Sequence, residues 1–73
     1  MHMTFYQFMM TLRGKLVADE KSKLADWMFK DHDFPKHSNN YHEISDYLEW
    51  NTPFHNALMV FDEVWAIYEA NHK

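Results

Sequence analysis

Apolar residues recur at intervals of three and four in four separate stretches of the chain, which predicts four helices. Phe5, Phe8, Met9 and Leu12 make one stripe across residues 4–13. Tyr6 and Met10 form a second stripe on another flank. Thr4 is placed to cap the start, and Gly14 stands where a left-handed residue closes a helix. Leu24, Trp27 and Met28 line the inner face of a second helix. It begins near Asp19, a good N-cap, with Glu20 suited to the positive end of the helix dipole. Its end falls near Asp31 or His32. Leu16 and Val17 are expected to plug the core from the preceding loop.

Residues 33–38 read as a loop, because Pro35 disfavours helix at Phe34. The third helix begins near Asn39 or Asn40, and Asn40 with Glu43 three residues on matches a capping box. Tyr41, Ile44, Tyr47 and Leu48 share one side. His42, Glu43, Asp46 and Glu49 share the other. For the fourth helix the pattern predicts Thr52 as N-cap and Pro53 at the first helical position. Phe54, Leu58, Phe61, Trp65 and Tyr68 then form its stripe. Ala57 and Val64 broaden it, and Val60 and Ile67 broaden it further. So wide an apolar arc implies contact with several helices at once. The expected fold is all-α: one domain over residues 1–73, a compact bundle of four to five short helices with a longer C-terminal one as its floor.

Composition narrows how such a bundle holds together. A chain of 73 residues has room for one core. It buries only about 60% of the surface that its unfolded form exposes. There are no cysteines, which removes disulfides, cysteine-based zinc sites and thiol nucleophiles. Dense packing must serve instead, and 47% apolar with 18% aromatic residues supplies it. Cysteine-free composition suits a reducing cytosol. No apolar run reaches the roughly 18 residues of a membrane span, and no signal peptide is expected from Met1-His2-Met3-Thr4, which has no basic stretch followed by a hydrophobic one. A cytoplasmic protein without membrane partners is expected.

A specific resemblance emerges from three stretches. FPKHSNNYHEISDYLEWN, then FDEVWAIYE, with TFYQFMMTLRG near the start, are similar to the YozE-like family of small bacterial proteins. The resemblance covers nearly the whole chain. It implies a helical bundle like that of sterile-alpha-motif (SAM) domains, in agreement with the periodicity. The family has no assigned activity, so no catalytic residue is carried over. Protein–protein interaction and, in some cases, RNA binding are what SAM-like folds suggest by analogy. One departure matters. Self-associating SAM domains often place basic residues at the start of the last helix, whereas Thr52-Pro53-Phe54-His55-Asn56 has none.

Candidate chemistry is sparse. Six histidines (His2, His32, His37, His42, His55 and His72) invite a metal reading around Asp31-His32-Asp33 and His37. Metal sites need three or four converging ligands. No two of these histidines stand four apart on one helix, so exposed titrating groups are the favoured reading. Protonating all six would move the net charge from −4 to +2, which is compatible with pH sensing or with simple surface titration. Ser22, Ser38 and Ser45 lack a Gly-x-Ser-x-Gly context. Asp62 and Glu63 are adjacent and diverge on a helix, unlike an acid–base pair. One glycine cannot build a phosphate loop. No cofactor and no catalytic residue are expected.

Two functional readings remain. Thirteen aromatic residues exceed what so small a core can fully bury. Tyr6, Met10, Phe29, Trp50 and Met59 lie off the main stripes. They are the candidates for an exposed protein-binding patch, against the alternative that they pack in secondary clusters. The second reading is nucleic-acid binding through Arg13, Lys15, Lys21 and Lys23 around the first inter-helix loop. Charge argues against it: residues 1–37 carry +1 and residues 38–73 carry −5. The same asymmetry permits weak head-to-tail self-association of an otherwise monomeric protein.

Overall fold

A computed structural model describes residues 3–14 and 19–71 of the chain. Four helices follow in order: α1 (Phe5–Met10), α2 (Glu20–Lys30), α3 (Tyr41–Trp50) and α4 (Ala57–Asn71). Lys15, Leu16, Val17, His2 and His72 lie outside the described residues.

Local side-chain chemistry starts the first three helices. Thr4 Oγ1 accepts from the Gln7 amide at 3.1 Å, and Gln7 Oε1 accepts in turn from the Thr4 amide at 2.9 Å. This reciprocal box satisfies two N–H groups at the end of α1. Asp19 and Ser22 do the same for α2, with distances of 2.8 and 3.1 Å. At α3 the expected box is only half made. Asn40 Oδ1 accepts from the Glu43 amide, but the Asn40 amide donates to Ser38 Oγ and not to Glu43.

Two helix ends differ from the sequence expectation. α1 stops at Met10 rather than Arg13. Beyond it the amides of Thr11, Leu12 and Arg13 each bond three residues back, which tightens the chain into a turn. Gly14 then takes a φ of +76°, and no atom would crowd a side chain there. α4 begins at Ala57, four residues later than the Thr52–Pro53 signal predicts. Thr52 faces the other way: its hydroxyl donates to the carbonyls of Leu48 and Glu49 and closes the end of α3. Pro53 follows the Asn51 C-cap by two residues and blocks continuation of that helix. The signal was genuine turn chemistry assigned to the wrong helix.

α4 touches all three other helices, and α1 also packs on α2. The core comprises Phe5 and Met9 from α1, Leu24, Ala25 and Met28 from α2, Ile44 and Leu48 from α3, and Val60, Phe61, Val64 and Tyr68 from α4. Phe34, from the connection between α2 and α3, is buried with them. Its ring meets Tyr6 at 5.9 Å and Tyr47 at 5.6 Å. Phe5 lies at the centre, with ring centroids 5.3 Å from Phe61, 5.2 Å from Trp65 and 5.6 Å from Tyr68. Ile67, expected to widen the buried arc of α4, is instead exposed. α4 turns that side outward because its three neighbours already cover the opposite one.

Asn39 locks this arrangement. Its Oδ1 accepts from the Phe5 amide at 2.9 Å and lies 3.2 Å from the Tyr68 hydroxyl, which also donates to the Met3 carbonyl at 2.6 Å. Three distant parts of the chain meet at one side chain. Asn39→Ala should leave the Phe5 N–H without its acceptor and lower stability by about 1–2 kcal/mol. In chemical denaturation this reads as a lower midpoint with an unchanged slope. Gly14→Ala should cost roughly 1–2 kcal/mol through backbone strain alone, since L-residues disfavour the left-handed region. Gly14→Asn should cost less in the same measurement.

Candidate interaction surfaces

The five apolar candidates do not form one exposed group. Tyr6 and Met10 are half-buried and pack against the core. Tyr6 leans on Phe34, with the Lys36 ammonium 5.6 Å from its ring centroid. The loop after α2 covers that flank of α1, which the helical pattern by itself left open. Phe29, Trp50 and Met59 are exposed, by 50%, 86% and 61%. They belong to three different helices. Trp50 ends α3 and Met59 lies in the first turn of α4, so these two flank the same connection.

Phe29 is exposed but not idle. The Arg13 guanidinium carbon sits 3.6 Å from its ring centroid, and Arg13 Nε binds Asp26 Oδ1 at 3.0 Å. Asp26 and Phe29 are three residues apart on α2 and therefore share a face. Together they hold the guanidinium between a carboxylate and an aromatic plane. Sequence reasoning missed this clamp, although the i, i+3 spacing of the two residues was available.

The clamp also changes the basic group. Arg13 is held by Asp26 and Phe29, and Lys21 lies 3.8 Å from Glu63 of α4. Lys23 is exposed, and Lys15 is outside the described residues. Two of the four proposed phosphate contacts thus already face carboxylates.

His32, His37, His42 and His55 are all exposed. Among the described residues no three His, Asp or Glu groups are placed to hold a metal ion. Asp31 is committed elsewhere: one carboxylate oxygen accepts from the Asp33 amide at 3.2 Å and the other from the Tyr47 hydroxyl at 2.5 Å. Ser22 is absorbed in the cap of α2. No helix among the described residues is long and apolar enough to cross a membrane.

The outer side of α3 carries His42, Glu43, Asp46, Glu49 and Trp50, all exposed. On α4, Met59 and Ile67 are exposed together with Asp62, Glu63, Ala66, Glu69 and Ala70. The acidic half of the sequence therefore presents two outward helix faces. Each combines carboxylates with large apolar side chains.

Comparison with known proteins places this bundle. The sequence profile of the YozE SAM-like fold matches residues 4–70. The chain belongs to that family. Its relatives include UPF0346 proteins of three bacteria. That of Oceanobacillus iheyensis is 66% identical over 50 residues, which span 68% of this chain and 67% of the relative. That of Listeria innocua is 43% identical over 65 residues, covering 89% and 84% of the two chains. That of Limosilactobacillus reuteri is 47% identical over 68 residues, covering 93% of each. The YozE SAM-like assignment agrees with the all-helical architecture and assigns no chemistry to any side chain.

Tyrosines of this YozE-like bundle are strongly coupled to its packing. Burial, with the Asp31 carboxylate beside it, pushes the Tyr47 phenol up to about 12. The hydrogen bond to Asp62, with burial, raises Tyr41, and burial raises Tyr68. A phenol that ionises later in the folded state stabilises it fully below pH 10. The advantage fades as pH rises, because the unfolded chain ionises first. Stability should therefore fall between about pH 10 and 12. Tyr47→Phe should remove part of that slope in denaturation profiles taken across the window, and should delete the latest-titrating phenol from an ultraviolet absorbance titration.

Proposed function

We propose that this chain is a single-domain, non-catalytic protein-interaction module of the bacterial cytoplasm. The observation that carries this reading is the exposure of large apolar side chains on well-packed helices. Trp50 is 86% exposed and Met59 61% exposed, while Ile44 and Leu48 of α3 and Val60 and Phe61 of α4 are buried. Neither is needed to close the interior, and both sit among carboxylates. Exposed aromatic and methionine side chains on a polar surround are the composition of recognition surfaces. The arrangement supports binding to another macromolecule without chemistry on it. Carboxylates on both outward faces disfavour strong self-association through those faces, which supports a monomer or a weakly associating state.

Photo-crosslinking tests the reading. A crosslinker placed at position 50, 59 or 67 in living cells should yield discrete protein adducts, and one at position 23 should not. Adducts consisting of RNA or DNA, concentrated at position 23, would replace it with the nucleic-acid reading. In that case the purified protein would also retain RNA or DNA at about 50 mM salt, where phosphate contacts are strong.

A further inference from the structure

The α2 clamp shows how this protein holds a guanidinium. Asp26 supplies charge and a planar acceptor, and Phe29 supplies the electron-rich face of a ring. The outer face of α3 repeats the same pair of groups. Asp46 and Trp50 stand four residues apart, one turn from each other on a single face. At 3.6 residues per turn, His42, Glu43, Asp46, Glu49 and Trp50 fall within an arc of about 120°. All five are exposed. Side chains on a helix lean toward its N-terminus, so the turn that holds Asp46 is the one within reach of the Trp50 ring. Tryptophan also presents a better face to a cation than phenylalanine does.

What differs is the source of the cation. On α2 it is Arg13 of the same chain. Between residues 37 and 72 the sequence has no lysine or arginine. Among the described residues the ion pairs of Arg13 with Asp26 and of Lys21 with Glu63 both lie elsewhere. Glu49 stands in the last turn of α3 and Asp46 just before it, with no basic residue in that turn. Both carboxylates face the negative end of the helix dipole, an unfavourable position that an external cation relieves. A second copy is a poor source, because its Arg13 is already held by Asp26 and Phe29.

We propose that the outer face of α3 docks an arginine-bearing segment of a partner protein. The guanidinium lies between the Trp50 indole and the Asp46 carboxylate, and Glu43 and Glu49 attract further positive charge on the same segment. This rests on the interaction-module reading and adds to it the surface and the partner's chemistry.

Isotope-labelled protein titrated with short Gly/Ser peptides carrying arginine, lysine or glutamine tests it by NMR. The arginine peptide should shift the Trp50 indole N–H and the amides of residues 43–50. Its own side-chain protons should move upfield from stacking on the ring. The lysine peptide should bind several-fold more weakly, since an ammonium cannot stack or bridge as a guanidinium does. The glutamine peptide should be silent. Trp50→Leu and Asp46→Asn should each abolish the stacking signature, while Glu69→Gln on α4 leaves it intact. Asp46→Asn should keep or raise the melting temperature, so its loss of binding is not a loss of fold. Shifts that follow peptide charge equally at Asp62, Glu63 and Glu69, or that survive Trp50→Leu, would overturn the assignment. Crosslinks to partners through positions 59 or 67, with α3 untouched by the arginine peptide, would sink this proposal and leave the module reading standing.

Discussion

The contact of the Phe5 ring with α4 is the interaction on which the remaining structure depends. Its neighbours Phe61, Trp65 and Tyr68 occupy two successive turns of α4, and all three centroids lie within 5.6 Å of its own. Aromatic pairs of this kind add about 0.5–1.5 kcal/mol each beyond the area they bury. α1 has only six residues, far below the length at which a helix is stable alone. It is held by packing, and the Phe5 ring fixes it to the longest helix. The Phe5 amide is held by Asn39, so the same residue draws the connection before α3 onto the bundle. A cysteine-free chain of this size has few other means of joining distant segments.

Much of this was legible in the sequence, for identifiable reasons. Thr4, Asp19 and Asn40 each cap a helix through groups two or three residues away, and local chemistry of that kind is written in local sequence. The apolar stripes predicted Phe5, Met9, Leu24, Met28, Ile44, Leu48, Phe61, Val64 and Tyr68 as inward, and all are buried. Thr52 shows the limit. A threonine before a proline can begin one helix or finish another, and the choice depended on carbonyls of α3 that the pattern does not order in space. Phe34 sits in a loop with no periodicity, so nothing marked it as core. Its burial in turn withdrew Tyr6 from solvent.

The candidate surfaces were legible only in part. Exposure of Trp50 and Met59 followed from their place off the stripes. Exposure of Ile67 did not, because its position extends a stripe whose edge is set by how far α2 and α3 wrap α4. The pairing of Arg13 with Asp26 and Phe29 joins residues from two separate segments. Periodicity describes one helix at a time and is blind to such a pair. The physical content of the surface therefore comes from where charges find partners within the fold, and among the described residues no ion pair involves the carboxylates of α3.

The start of α4 has a consequence for how the domain comes apart. Among the described residues no side chain caps this helix; its first turn is marked by backbone bonds from Ala57 to Phe54 and from Val60 to Asn56. The capped helices carry part of their own nucleation, whereas α4 borrows all of it from tertiary packing. α4 is also the element that every other helix touches. Cooperativity in this small domain is thus built in at a helix without a side-chain cap: the bundle is either assembled around α4 or it has no common scaffold at all.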